Sequence, residues 1–80
     1  MNIKIDSHQS ASVAEQIAAG IRRALVNQEI RAGEALPSVR ELVRENRVSP
    51  VAVSEALREL EKEGLVVRAP GDGGYVAAQR

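Results

Sequence analysis

The 80-residue chain has no cysteine, no tryptophan and no phenylalanine, and Tyr75 is its one aromatic residue. Without cysteine there is no disulfide and no thiolate chemistry, which fits a reducing, cytoplasmic setting. With almost no aromatics the core must be aliphatic. Stacking of bases on aromatic platforms is excluded as a main mode, which argues against that kind of single-strand or RNA binder. His8 is the single histidine and lies in a polar lead, where it is read as solvated. No run is long or apolar enough for a membrane helix or a signal peptide. Net charge is absent too, with eleven basic residues against eleven acidic ones. A nucleic-acid binder usually carries a basic excess, so the distribution has to be read instead of the sum. Residues 35–48 hold Arg40, Arg44 and Arg47 against Glu41 and Glu45; residues 49–63 hold Arg58 and Lys62 against Glu55, Glu59, Glu61 and Glu63. Most of that acid falls late in the second stretch. One histidine, no cysteine and no clustered carboxylates leave no catalytic constellation and call for no metal or cofactor.

What the sequence does have is punctuation. The stretch from Ser38 to Glu63 reads as two helices joined by a tight turn. Ser38 follows Pro37 and precedes Glu41 by three residues, the spacing of a capping box. Val39, Leu42 and Val43 then share one face. Ser49-Pro50 is the second start: serine caps well, and proline at the first helical position has no N–H to leave unpaired. Val53, Ala56, Leu57 and Leu60 make the apolar stripe of this longer helix, and Gly64 supplies the left-handed residue that ends it. A short helix, a turn and a longer helix are the parts of a helix-turn-helix. In that motif the second helix enters the major groove with its N-terminal residues against base edges.

Around this unit the chain is short and organised. Residues 1–9 form a polar lead in which Ile3 and Ile5 alternate, read as a loose terminus rather than an edge strand. Ser12 to Asn27 is helical, with Val13, Ile17, Ile21, Ala24 and Leu25 on one face. Gly20 lies near that stripe at a cost of up to ~1 kcal/mol against alanine, so either another backbone approaches there or the helix tolerates the loss. Gly33 is a turn residue, and Glu34-Ala35-Leu36 reads as a short extended segment before Pro37. After Gly64, the β-prone runs Leu65–Arg68 and Tyr75–Ala78 flank a Pro/Gly/Asp cluster, the pattern of a hairpin. Gly71-Asp72-Gly73-Gly74 precedes a strand-like run, so it is not a nucleotide-binding loop. Eighty residues allow one domain. The expected fold is mainly α with a small β wing. It is a single winged helix-turn-helix domain over 1–80, with helices at about 12–27, 38–46 and 49–63 and a wing at about 65–78.

These residues resemble a family. Leu36-Pro37-Ser38-Val39-Arg40-Glu41-Leu42, Val48-Ser49, Val53, Ala56-Leu57, Leu60–Val66 and Gly71–Val76 are similar, in order, to the DNA-binding domain of GntR-family bacterial transcriptional regulators. Glu15-Gln16-Ile17 and Ile21-Arg22-Arg23-Ala24 resemble that family's first helix, and Ile5-Asp6 the start of its shorter, YtrA-like members. The resemblance covers nearly the whole chain. It implies a winged helix, double-stranded operator DNA as partner, and a C-terminal domain for effector binding and homodimerisation. No such domain lies within these residues, so the expectation is either a natural stand-alone module or a piece of a longer regulator. The family usually has a basic residue and a threonine in the first turn of its recognition helix. Here those positions are Pro50 and Ala52, with Val51 between them. Val51 and Ala52 can meet thymine methyls but cannot hydrogen-bond a base edge. Asp72 stands in the wing where many members have Lys or Arg.

The candidate DNA contacts follow. Arg40 occupies the position where the family places a DNA-contacting arginine; the bland alternative is a surface ion pair with Glu41. Ser38 and Ser49 are caps first, whose neighbouring N–H groups can also meet phosphate. Ser54 and Arg58, one turn apart on the solvent side of the long helix, are the remaining polar candidates, unless Arg58 is tied to Glu55 or Glu61. Arg68 begins the wing and is a candidate phosphate contact. Gly71 serves turn geometry first and close approach to DNA second. The competing function is a winged helix used for protein–protein contact with weakened DNA readout. It is motivated by the apolar Pro50-Val51-Ala52 turn, Asp72 and the zero net charge.

Overall fold

The computed structural model describes residues 1–6, 8, 10–69 and 74–78. Three helices are followed by a two-stranded antiparallel hairpin. Helix α1 spans Val13–Val26, α2 spans Val39–Asn46 and α3 spans Pro50–Lys62. Strand β1 is Val66–Arg68 and β2 is Tyr75–Ala77.

Each helix starts on a serine whose hydroxyl accepts a backbone N–H of the first turn. Ser12 takes the Glu15 N–H and Ser38 the Glu41 N–H, each at 3.1 Å, and in both boxes the glutamate accepts the cap N–H in return. Ser49 takes the Ala52 N–H at 3.1 Å, with Pro50 at the first helical position. Helix α2 ends on Arg47, whose left-handed backbone (φ 54°, ψ 48°) turns the chain toward α3. A non-glycine residue there carries strain, so the turn of the helix-turn-helix is tight without a glycine. Helix α3 stops at Gly64 (φ 79°), where an added Cβ would meet nothing within 4 Å. Backbone conformation, not crowding, selects that glycine.

The core is aliphatic. Ile17 and Ile21 of α1, Leu42 of α2, Val53, Leu57 and Leu60 of α3 and Val66 of β1 are fully buried. Leu25 and Leu65 pack at its edge. Val13, placed by periodicity on the same face as Ile17 and Ile21, is nonetheless 37% exposed at the start of α1. The hairpin pairs Val66 with Ala77, Val67 with Val76 and Arg68 with Tyr75. Segment 33–36 lies along the other edge of β2. Ala35 bridges Val76, the Leu36 N–H donates to the Tyr75 carbonyl, and the Ala77 N–H donates to the Glu34 carbonyl. The extended segment before Pro37 therefore anchors β2 between two partners and fixes the hairpin to the start of α2.

The start of the lead, residues 1–6, is neither a strand nor loose. Its backbone is held by two side-chain amides. Gln16 of α1, 8% exposed, accepts the Asp6 N–H and donates to the Asp6 and Ala11 carbonyls. Asn46 of α2 accepts the Ile3 N–H and donates to the Met1 and Leu42 carbonyls. The terminal ammonium pairs with Glu45. The Ile3 side chain fills the hollow over Gly20: a Cβ there would lie 2.6 Å from Ile3 Cγ2. The glycine is thus required by a side chain from the lead, not by an approaching backbone.

Candidate nucleic-acid interface

Helix α3 buries Val53, Ala56, Leu57 and Leu60 and turns Val51, Glu55, Arg58 and Lys62 outward. The two sets alternate because 3.6 residues make one turn. Helix α2 packs against α3 through Leu42 and presents Arg40, Glu41, Arg44 and Glu45 to solvent. Together α2, the Arg47 turn and α3 have the form of a helix-turn-helix, with β1 and β2 following as a wing.

The candidate basic residues divide by what already holds them. Arg40 is exposed in the first turn of α2 and makes no ion pair among the described residues. The Glu41 carboxylate that was its bland partner is engaged with the Ser38 N–H and hydroxyl. Arg58 is exposed, and neither Glu55 nor Glu61 binds it; Glu61 instead faces Arg68 at 3.9 Å. Arg44 and Arg47 are exposed and unpaired among the described residues as well. Arg68 is the candidate arginine with company: besides Glu61, its guanidinium lies 5.6 Å from the centre of the Tyr75 ring. That contact leans the side chain along the outer face of the hairpin. Away from this surface, Arg22 of α1 grips Glu63 at the end of α3 with two hydrogen bonds, at 3.0 and 2.6 Å, which raises the arginine's pKa above its ordinary value.

Ser38 and Ser49 spend their hydroxyl oxygens on capping. Ser54 is half-buried, set toward the side of α3 rather than its outer face. In the first turn of α3, Pro50 is exposed, Ala52 is half-buried and Val51 is 67% exposed. Gly71, with Asp72 and Gly73, lies outside the described residues. No group of three or more His, Cys, Asp or Glu side chains among the described residues could hold a metal ion. Among the described residues, no helix is long and apolar enough to cross a membrane.

Sequence reasoning placed Arg47 beside the turn but missed its backbone conformation, and it missed the anchoring roles of Gln16 and Asn46. Arg47 ends α2 in a conformation that usually selects glycine or asparagine, and composition gives no signal for it. Gln16 and Asn46 fix α1 and α2 to the lead through contacts ten and more than forty residues away in sequence. Their polar character at the edge of an apolar stripe was the available sign.

The chain was compared with known proteins. The model for bacterial regulatory proteins of the gntR family matches residues 13–76. The HTH-type transcriptional repressor YtrA of Bacillus subtilis (strain 168) is 36% identical over 75 residues, covering 94% of this chain and 58% of that protein. The chain therefore spans just over half the length of this relative. The structure of YtrA from Sulfolobus acidocaldarius, a GntR-family transcription factor, superposes with a TM-score of 0.91 at 32% identity, covering 98% of this chain and 81% of that one. AraR(DBD), in complex with operator ORE1, shares the fold at 23% identity with a TM-score of 0.78, covering 94% of this chain and 92% of that one. By sequence and by three-dimensional structure, the chain belongs to the GntR family of bacterial regulatory proteins.

Proposed function

We propose that the chain is a sequence-specific double-stranded DNA-binding module of a bacterial transcriptional regulator, with no catalytic role of its own. The observation that carries this reading is the set of exposed arginines on the helix-turn-helix that are unpaired among the described residues: Arg40 and Arg44 on α2, Arg47 in the turn and Arg58 on α3. Guanidinium groups held to no carboxylate are ready to meet phosphate. Arg40, with the open N–H groups of the first turn of α2 beside it, is assigned to the DNA backbone. Ser38 and Ser49 shape the two helix starts that approach the strands. Val51 and Ala52 enter the groove, Ser54 and Arg58 flank it, and Arg68 at the start of the wing meets the phosphates; Gly71, outside the described residues, stays a candidate from the sequence alone.

Affinity follows from the number of such contacts. The arginines of the helix-turn-helix that are unpaired among the described residues are few, so one small module makes few phosphate contacts, and phosphate contacts set both non-specific affinity and its salt dependence. The 80-residue chain alone is expected to bind weakly, at about the micromolar level of non-specific contacts, and to lose binding as salt rises. Two modules joined as a homodimer read two half-sites about one helical turn apart and gain affinity through effective concentration. The test titrates single and paired half-site duplexes, chosen from random DNA, with the chain and with its fusion to an unrelated dimeriser at two salt concentrations. Steep tightening on paired sites alone supports the proposal. No binding by the fusion at low salt refutes it and favours the protein-contact reading, for which the exposed Val51 is the supporting observation.

A further inference from the structure

Val51 is the one large apolar side chain left exposed on the helix-turn-helix among the described residues; Val13 and Val26 are on α1 and Val67 is on β1. It stands at the second position of α3, on the outer face that continues through Glu55, Arg58 and Lys62. Its neighbours add no hydrogen-bonding side chain: Pro50 has none, and Ala52 offers only a methyl, with its N–H taken by Ser49. The turn that would lie deepest in a major groove is therefore apolar. The major groove has one apolar feature, the C5-methyl group of thymine. The arginines of α2, the turn and α3 that are unpaired among the described residues belong to the same helix-turn-helix as this valine, so an apolar contact to a base and cationic contacts to phosphate can come from one unit.

Resting on the DNA-binding reading above, we propose that Val51 is a specificity-determining residue that reads the thymine methyl. The half-site then carries a T·A pair beneath the first turn of α3, recognised by burial of methyl groups and not by a hydrogen bond. Such a site discriminates thymine from uracil, whose Watson–Crick edge and groove hydrogen-bond groups are identical. It discriminates among base pairs more weakly than a bidentate contact does.

The experiment uses the chain itself and duplexes selected from random DNA at low salt. Each thymine of the selected motif is replaced in turn by deoxyuridine, and the duplexes are titrated with the chain and with Val51→Ala. Alanine is the better helix former, so the variant keeps its fold, and circular dichroism checks that it does. At one position, loss of the methyl is expected to weaken binding by the native chain about four-fold, the usual effect of one buried methyl-sized group. Against Val51→Ala the same replacement should change nothing. A selected motif that binds equally well with every thymine replaced overturns the inference while leaving DNA binding intact. So does a deoxyuridine penalty that is the same for both proteins. Failure to bind any duplex removes the functional reading and the inference with it.

Discussion

Replacing Gly20 by alanine tests how firmly the N-terminal lead is built into the fold. In an exposed helix interior this change stabilises by up to ~1 kcal/mol, because glycine gives up more backbone freedom on folding. Here the new Cβ would lie 2.6 Å from Ile3 Cγ2, 3.1 Å from Cγ1 and 3.4 Å from Cβ. The first two atoms are bonded directly to the Ile3 Cβ, so they are not the far end of a flexible chain. Ile3 cannot simply retreat either, since its N–H is held 2.7 Å from Asn46 Oδ1. Overpacking of this kind costs ~1–3 kcal/mol, which cancels or exceeds the propensity gain. Gly20→Ala is therefore expected to leave stability unchanged or lower it by up to ~2 kcal/mol. In an Ile3→Ala background the two offending atoms are gone and the remaining Cβ is at an ordinary 3.4 Å. There Gly20→Ala should stabilise by up to ~1 kcal/mol, a rise of about 4–8 °C per kcal/mol for a domain of this size. Thermal unfolding of the four proteins closes a double-mutant cycle whose coupling energy is the clash itself, ~1–3 kcal/mol. A rise in melting temperature for Gly20→Ala in the native background, equal to that in the Ile3→Ala background, would show that the lead does not sit on α1.

Other substitutions separate binding from folding. Arg40→Ala should weaken binding to every duplex with little change in melting temperature, because the side chain is exposed and holds no partner among the described residues; unchanged affinity in a titration refutes the docking face. Leu57→Ala should act in reverse, destabilising by ~2–5 kcal/mol on urea unfolding, since Leu57 is 1% exposed in the middle of the core. The Ser12 N–H and hydroxyl hold the Glu15 carboxyl below its ordinary pKa. A lowered folded-state pKa contributes stability that is present above the unfolded value and lost as pH falls through the folded one. Melting temperature followed from neutral pH down through the carboxylate range should therefore fall more for the native chain than for Glu15→Gln, and parallel curves would exclude this contribution.

The parts of the fold that were legible in the sequence are those whose causes are local. Ser38 with Glu41, and Ser49 with Pro50, announce two helix starts because caps act over three residues, and both serines are N-caps in the structure. The hairpin shows as two β-prone runs around a glycine cluster. The lead was not legible, because what orders it is distant. An Asn46 amide and a hollow at Gly20 have no signature within residues 1–6. Val13 lies outside the core for a related reason. Helical periodicity places it on the apolar face, but it stands at the first position of α1, where the helix has only begun to be covered. At the candidate site, spacing alone could pair Arg58 with Glu61. The wing is what decides otherwise, because β1 returns Arg68 toward that glutamate.

The balance of charge takes on a different meaning once each group's partner is known. Eleven acids cancel eleven bases in the sum, yet the two sets are used differently. Glu15 and Glu41 close capping boxes at helix N-termini, where the partial positive charge of the helix end offsets a carboxylate. Glu63 is gripped by Arg22, Glu61 faces Arg68, and Glu45 meets the terminal ammonium. Against these, Arg40, Arg44, Arg47 and Arg58 have no carboxylate within ion-pair distance among the described residues. Coulomb attraction falls off with distance and is screened within about 8–10 Å at ordinary salt. A phosphate approaching α2 and the turn is therefore governed by the charges within that range, the unpaired arginines together with Glu41 and Glu45, whose carboxylates are already engaged, and acids beyond that range matter little to it. A neutral total is thus compatible with arginines on the helix-turn-helix that no carboxylate holds among the described residues. It also sets an upper limit on that surface: a handful of arginines can neutralise only a handful of phosphates. The module then depends on pairing and on base contacts, Val51 foremost, for what bulk electrostatics does not supply.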